Sequence, residues 1–513
     1  GLDSHTAGVA NIPEAIPEDQ AHAPAYQGVL KTDIPTVAEM LQSVGYRTLM
    51  SGKWHLGFSD GEKPSERGFD RTLMLADTGA DNWRQRSYLP IYAEANWFED
   101  GEPTTLPENF YSSEYLVDKA IEYIGNRSQQ PFFAYVAFQA VHIPVQAPAA
   151  FRDKYLQSYT GGWHDLRKAR SEGLARTGVL PAVLEGREMP TTPAWQSLSA
   201  EQQAFEARGM AVYAGMVDAM DFHVGRLIEH IEKIGELDNT VFIFLSDNGA
   251  EGSIVTRHQA PDSKAPVAPF QLWMRLVDYN TDAQTLGERD SYHDIGPAWA
   301  SAAVGPLSWY KFFAGEGGLR VPLVISGAHG GVSVVPQEAG GVSPALGWAT
   351  DIVPTVLGLA GVAVPDELEG RSLLPLLRSE AQAVRGREDG FGYELGGNKA
   401  WFQGDHKLVF NRIANVGKWQ LFNLKNDPTE SQDLSASEPD RFAAMRAAFQ
   451  AWALDRGVLP VAEDYNQGQT VLNKGMRNRP GFLLGLGLAA LTPFVLIILL
   501  VVWWVRRQRV KTQ

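Results

Sequence analysis

Two short apolar runs, each preceded by a helical segment and each ending in polar residues, constrain the fold of this chain more than any other feature. Pro131-Phe132-Phe133-Ala134-Tyr135-Val136-Ala137-Phe138 leads to His142, and Thr240-Val241-Phe242-Ile243-Phe244-Leu245 is followed at once by Ser246, Asp247, Asn248 and Gly249. Continuous apolar runs of this length, rich in β-branched and aromatic residues, read as buried strands. Before the first lies a segment of helical spacing, Ser112 to Ile124, with Ser112 or Ser113 as N-cap and Leu116, Ala120 and Ile124 on one face. A longer helix, Glu206 to Ile234, closed by Gly235, precedes the second. Pro35 to Val44 reads as another helix, terminated by Gly45. Helices alternating with strands predict an α/β fold, with a mixed, largely parallel central sheet flanked by helices. Open sheets of that kind bind ligands outside the carboxyl ends of their strands, where His142, Asp247 and Asn248 fall.

The stretch Gly45-Tyr46-Arg47-Thr48-Leu49-Met50-Ser51-Gly52-Lys53-Trp54-His55-Leu56-Gly57 adds an ammonium and an imidazole two positions apart, after a short apolar strand and a glycine. On an extended backbone residues two apart share a face, so Lys53 and His55 can aim a fixed positive charge and a proton carrier at one volume. That pair suits a tetrahedral anion such as a sulfate or phosphate ester. The formal net charge of −15 argues against nucleic acid as a partner, and means that an anionic ligand is drawn by a local basic site. With 44% hydrophobic and 20% charged residues the chain is globular in composition, and with no cysteine it forms no disulfide.

Asp247 and Asn248 offer adjacent oxygen ligands of the hard kind that suits Ca²⁺ or Mg²⁺ rather than zinc, and Gly249 allows a tight turn after them. Lys311 is hemmed by Trp309, Tyr310, Phe312 and Phe313. His223, Glu229 and His230 lie along one predicted helix and read as packing or surface residues, and His258 and His293 as loop residues. Residues 147–199 form a helical, Pro-rich insertion expected at the substrate entrance, and residues 254–308 a polar excursion. From Gly390 onward short strands predict a small antiparallel sheet, covered by a helix from Glu438 to Leu454.

Taken in order, these segments resemble the motifs of the sulfatase family, in the alkaline phosphatase-like superfamily, and most of all bacterial arylsulfatases. The stretch Gly45 to His55 is similar to the family's second signature. The resemblance continues through Arg67-Gly68-Phe69-Asp70, Leu245 to Gly249, Glu316-Gly317-Gly318-Leu319-Arg320-Val321-Pro322, Asp351 to Thr355, Leu421 to Leu424 and Asp427-Pro428. It implies a sulfuric ester hydrolase of arylsulfatase type acting on small sulfate esters. Its catalytic residues would be Lys53, His55, His142 and Lys311, its metal ligands Asp247 and Asn248, and its cation Ca²⁺ or Mg²⁺. Arg320 would be an anion contact or a structural ion pair, and His5 resembles a histidine near the family's nucleophile helix.

The family's nucleophile is a formylglycine, installed by a formylglycine-generating enzyme on a C-x-P-x-R or S-x-P-x-R motif. This chain has no cysteine and no Ser-x-Pro-x-Arg, and lacks the two aspartates that complete the family's metal site. The expectation is an N-terminally truncated sequence, with the nucleophile upstream of residue 1 and no activity in the chain as it stands. Two alternatives share these features: a phosphonate or phosphate monoester hydrolase of the same superfamily, and a non-catalytic, membrane-tethered binding protein.

The expected organisation is a sulfatase catalytic domain over 1–376, a C-terminal subdomain over 377–455 and a linker over 456–480. A transmembrane helix over 481–505 and a basic tail over 506–513 complete it. Gly481 to Val505 is an uncharged apolar run of about 25 residues, enough to cross a hydrocarbon core of ~30 Å, with Trp503 and Trp504 at its end. Arg506, Arg507, Arg509 and Lys511 follow, which predicts a cytoplasmic tail, a lipid bilayer partner and a catalytic domain on the periplasmic or outer side.

Overall fold

The computed structural model describes residues 1–257, 267–329, 332–333, 341–412, 417–478 and Leu491. It is a mixed α/β fold built on three sheets. Strands β1 (Arg47–Lys53), β2 (Arg71–Leu75), β3 (Trp97–Glu99), β4 (Glu102–Pro103) and β5 (Phe132–Ala137) form a five-stranded sheet in the order β4-β3-β2-β1-β5. β1 lies parallel to both β2 and β5, while β3 and β4 join antiparallel. β1 is buried along its length, and Gly52 explains how closely β5 approaches it. With φ at 129°, a Cβ there would sit 1.9 Å from the Ala137 carbonyl oxygen.

β6 (Val241–Leu245) belongs to a second, three-stranded sheet with β7 (Leu323–His329) and β8 (Val332–Ser333), antiparallel throughout. β5 and β6 do not pair with each other. Their outer ends are unexpectedly open for strands so apolar: Tyr135 is 45%, Phe244 41% and Leu245 37% exposed. The inner residues Phe132, Ala134, Phe138 and Phe242 pack with Leu116, Ile124, Leu227 and Ile231 from the helices beneath.

Those helices follow local sequence signals closely. Ser112–Ile124 has the predicted bounds, but its N-cap is Tyr111, and the Ser112 hydroxyl donates to Asn82 at 2.5 Å instead. The long helix runs Ala200–Lys233, starting earlier than its apolar spacing suggests, because Ser199 and Gln202 form a capping box. Thr36 and Glu39 do the same for Val37–Gln42. The insertion packs through Trp163 and Trp195, 4.7 Å apart between centroids, which meet Trp299 edge-to-face at 5.6 and 5.8 Å.

A third sheet is an antiparallel meander of β9 (Gly390–Leu395), β10 (Asn398–Gln403), β11 (His406–Phe410) and β12 (Trp419–Asn423). Helix Pro439–Asp455 covers it through Met445 and Phe449, which pack on Trp401, Leu408 and Leu421. Within 456–480, read from composition as a linker, Gln467–Asn478 is a helix whose Val471 and Leu472 are buried in the main core.

The predicted transmembrane helix, and with it the single-pass membrane location, needs correction. Among the described residues no helix is long and apolar enough to cross a membrane. Ala200–Lys233 has the length, but carries Glu206, Asp218, Asp221, Arg226 and Glu232 along it. The stretch 481–505 lies outside the described residues, Leu491 apart.

The meander is tied to the body by a buried charge cluster. Lys407, fully buried on β11, lies 2.8 Å from Glu316 and 2.9 Å from Glu430, and Glu430 also accepts from the Glu316 backbone N–H at 2.8 Å. Burial opposes the charge on Lys407, yet the two carboxylates outweigh it and raise its pKa. Removing one partner of such a cluster strands buried charge. Lys407→Met is therefore expected to lower unfolding free energy by about 3–5 kcal/mol, measured by urea denaturation; a loss under about 1 kcal/mol would mean that the cluster contributes little.

Candidate active site

Lys53, His55, His142, Asp247, Asn248 and Lys311 all line one cleft of 2460 Å³ that runs the length of β5 and β6, and the first five lie at or beyond the carboxyl ends of β1, β5 and β6. Lys53 is the last residue of β1. The extended alternation expected to align it with His55 stops there, since His55 has φ at 54°, in the left-handed region. It still reaches the cleft, with its Nε2 3.0 and 3.1 Å from the two carboxylate oxygens of buried Glu14.

His142 follows β5 in a turn closed by its own N–H donating to Gln139. Its Nδ1 donates to the Ile143 carbonyl at 2.9 Å, which leaves Nε2 as an acceptor, 3.4 Å from Glu251. Burial, then the charges of Lys311 and Lys53, hold its pKa well below the usual histidine range, so the ring is neutral. Lys311 pairs with Glu251 at 2.7 Å. Burial opposes the charge on Glu251, but the Lys311 ammonium beside it outweighs that and holds the carboxyl well below the usual range. The Lys53 ammonium is brought down to about 8, by burial first and Lys311 second, against Asp247, Glu14 and Glu251. Two ammonium groups this close make a cavity suited to an anion.

Asp247 and Asn248 stand on a turn beyond β6 that is stitched to the Glu316 segment. Gly249 donates to Gly318 at 2.9 Å, and a Cβ on Gly249 would lie 1.8 Å from the Gly317 carbonyl oxygen. Lys311 donates its backbone N–H to Ala250 at 3.0 Å. Among the described residues no group of three or more His, Cys, Asp or Glu converges as a metal site. Two side-chain oxygens fall short of the six to eight that Ca²⁺ takes, so these residues alone do not fit a complete cation site.

Other predicted positions fall elsewhere. His5 is buried between Asp3 and Glu394, tying the N-terminal segment to β9. Arg320 is half-exposed and 3.9 Å from Glu316, a loose structural pair. His223 is buried beside Arg226, His230 meets the Gly125 carbonyl, and His293 is buried rather than on a loop surface. His258 lies outside the described residues. Of the insertion, only Pro190 and Thr191 line the cleft. Sequence reasoning missed Glu251, although its position just after Asp247-Asn248-Gly249 is a usable signal. It also missed Glu14, for which no local pattern exists.

An α/β protein whose cleft carries two lysines is thus defined, and comparison supplies the family. Residues 1–362 match the sulfatase family model, and residues 307–449 the model described as N-sulphoglucosamine sulphohydrolase, C-terminal. An uncharacterised sulfatase of Schizosaccharomyces pombe is 32% identical over 91% of this chain and 85% of its own length. The arylsulfatase of Klebsiella aerogenes is 28% identical over 70% of this chain and 75% of its own. Among solved structures, i-CgsB in complex with k-i-k-neocarrahexaose aligns with a TM-score of 0.58 at 20% identity, covering 92% of this chain and 84% of that one. The chain belongs to the sulfatase family, whose general activity is hydrolysis of sulfate esters.

The neutrality of His142 has a pH signature. Its folded pKa lies below the value of about 6.5 expected when unfolded, so below that pH the unfolded chain binds a proton that the folded one refuses. Its stabilising contribution is complete above about pH 6.5 and declines as pH falls. Between about pH 6.5 and 5, His142→Asn should reduce the slope of unfolding free energy against pH by up to about 1.4 kcal/mol per unit. An unchanged slope, or a His142 NMR resonance that titrates near 6.5, would show that the fold does not oppose protonation of the ring.

Proposed function

We propose that the protein is a sulfuric ester hydrolase of arylsulfatase type. The observation that carries this reading is the meeting of Lys53, His55, His142, Lys311, Asp247 and Asn248, far apart in sequence, around a single cleft. In it Lys53 and Lys311 neutralise the sulfuryl oxygens, the kind of preorganised electrostatic stabilisation that dominates many such reactions. Lys311 gives a proton to the leaving alcohol oxygen, because His142 is neutral and spends its one N–H on Ile143. His142 accepts a hydrogen bond from the substrate side, and His55 takes up the proton released later in the cycle.

A formylglycine supplies the nucleophile in this reading, and Ca²⁺ or Mg²⁺ its Lewis acid; residues 1–513 furnish neither alone. Asp247 and Asn248 would give part of the cation's shell. The resemblance to the arylsulfatase of Klebsiella aerogenes supports the aryl ester class. A relative from Bacteroides thetaiotaomicron, named N-acetylglucosamine-6-O-sulfatase, is 24% identical over 78% of this chain, and makes a sulfated sugar the second substrate to try.

The test is the complete polypeptide, coexpressed with a formylglycine-generating enzyme and assayed on p-nitrophenyl sulfate and p-nitrophenyl phosphate. Sulfate should be preferred, and Lys53→Ala and Lys311→Ala should each lower kcat/KM by about 10²–10³-fold. A phosphate preference would establish the phosphomonoesterase alternative, and binding of the sulfate ester without turnover the binding-protein alternative. Residues 1–513 alone should be silent; turnover by them would place the nucleophile inside this chain.

A further inference from the structure

Glu14 has the surroundings of a built component of the site rather than of an incidental buried acid. It is 2% exposed, on a loop fixed from both sides: Lys474 donates to the Pro13 carbonyl, and the Tyr465 hydroxyl to the Ala15 carbonyl at 2.9 Å. One carboxylate oxygen also accepts from the Tyr92 hydroxyl. Burial works against ionisation, but the hydrogen bonds from His55 and Tyr92 outweigh it and hold Glu14 below the usual carboxylate range. A buried anion thus sits squarely on one nitrogen of an imidazole that lines the cleft.

A carboxylate can only accept, so Nε2 of His55 must carry the hydrogen. Nδ1 is then the acceptor, and no partner for it is present among the described residues. His55 also holds a left-handed backbone conformation that costs a non-glycine residue on the order of 1 kcal/mol. The Glu14 contact gives a reason for that conformation to persist.

We propose that Glu14 is the positioning residue of His55. Its carboxylate fixes the Nε2–H tautomer and leaves Nδ1 as the nitrogen open to the cleft. When Nδ1 takes a proton from a bound hydroxyl, the O–H bond breaks and an N–H bond forms. The imidazolium is then matched by Glu14, which stays ionised, the logic of a carboxylate behind a catalytic histidine. The other charged or titratable groups facing this pair are Lys53, Asp77, Tyr88, Tyr92 and Lys474. The inference rests on reading His55 as the proton acceptor in ester hydrolysis.

Two measurements keep it separate from that reading. In residues 1–513, ¹⁵N NMR of the imidazoles, with His55 assigned by His55→Gln, should show the Nε2–H tautomer. Glu14→Gln, which keeps the shape and removes the charge, should lower the share of the Nε2–H tautomer of His55, and Glu14→Asp should recover most of it. An unchanged tautomer in Glu14→Gln would overturn the proposal, whatever the enzyme assay gives. In the complete polypeptide, Glu14→Gln should lower kcat on p-nitrophenyl sulfate at least about tenfold with KM little changed, and Glu14→Asp should restore most of it. A loss confined to KM would also overturn it. If the wild type has no turnover at all, the sulfatase reading fails while the NMR result still decides the role of Glu14.

Discussion

The backbone contact between Gly249 and the Gly317-Gly318 pair is the constraint on which the rest of the site depends. It brings the turn after β6 against the start of the Glu316 helix so closely that Gly249 has no room for a Cβ, while Gly317 and Gly318 are packed as tightly against the Trp309 and Phe313 carbonyls behind them. Asp247 and Asn248 stand on one side of that seam and Lys311 on the other, held by its own hydrogen bond to Ala250. The seam is in turn pinned from below, because Glu316 shares Lys407 with Glu430. A charge cluster in the C-terminal meander therefore sets where a lysine of the cleft can be. Close packing transmits such placement because interiors deform little.

The electrostatics of the cleft follow from that geometry. Lys311 is near enough to disfavour the charge on Lys53, and the acids around Lys53 oppose that effect from different directions. Glu251 answers Lys311 directly, whereas Glu14 sits behind His55. Each acid is buried, and each is kept ionised by hydrogen bonds that also fix the base it touches. The site is thus polarised before any ligand arrives, with its cationic groups held by anions set behind them rather than by water.

Much of this was legible in the sequence, and the exceptions have physical causes. Helix Ser112–Ile124 and strand Val241–Leu245 declare themselves through periodicity and apolar runs, because propensity and burial point the same way there. The six residues that line the cleft are picked out by strand ends and motif order, not by local pattern alone. The Lys53–His55 pair was found for a partly wrong reason, since the alternation invoked ends where His55 turns left-handed. The sheet's division was not legible, because nothing in the composition of β5 or β6 says which neighbour each one takes. Glu14 was invisible because its meaning lies in a contact with a residue 41 positions away.

That division of the sheet has a consequence for the cleft. Among the described residues, β5 is bonded only to β1 on one side, and β6 only to β7 on one side. Each therefore offers a row of unsatisfied backbone donors and acceptors along an edge rich in Phe, Tyr, Val and Ile. Natural proteins usually blunt such edges with lysines, prolines or bulges, and neither strand carries any of these within its span. Two such edges opening on the same cleft leave room and hydrogen-bonding capacity there for a further extended segment.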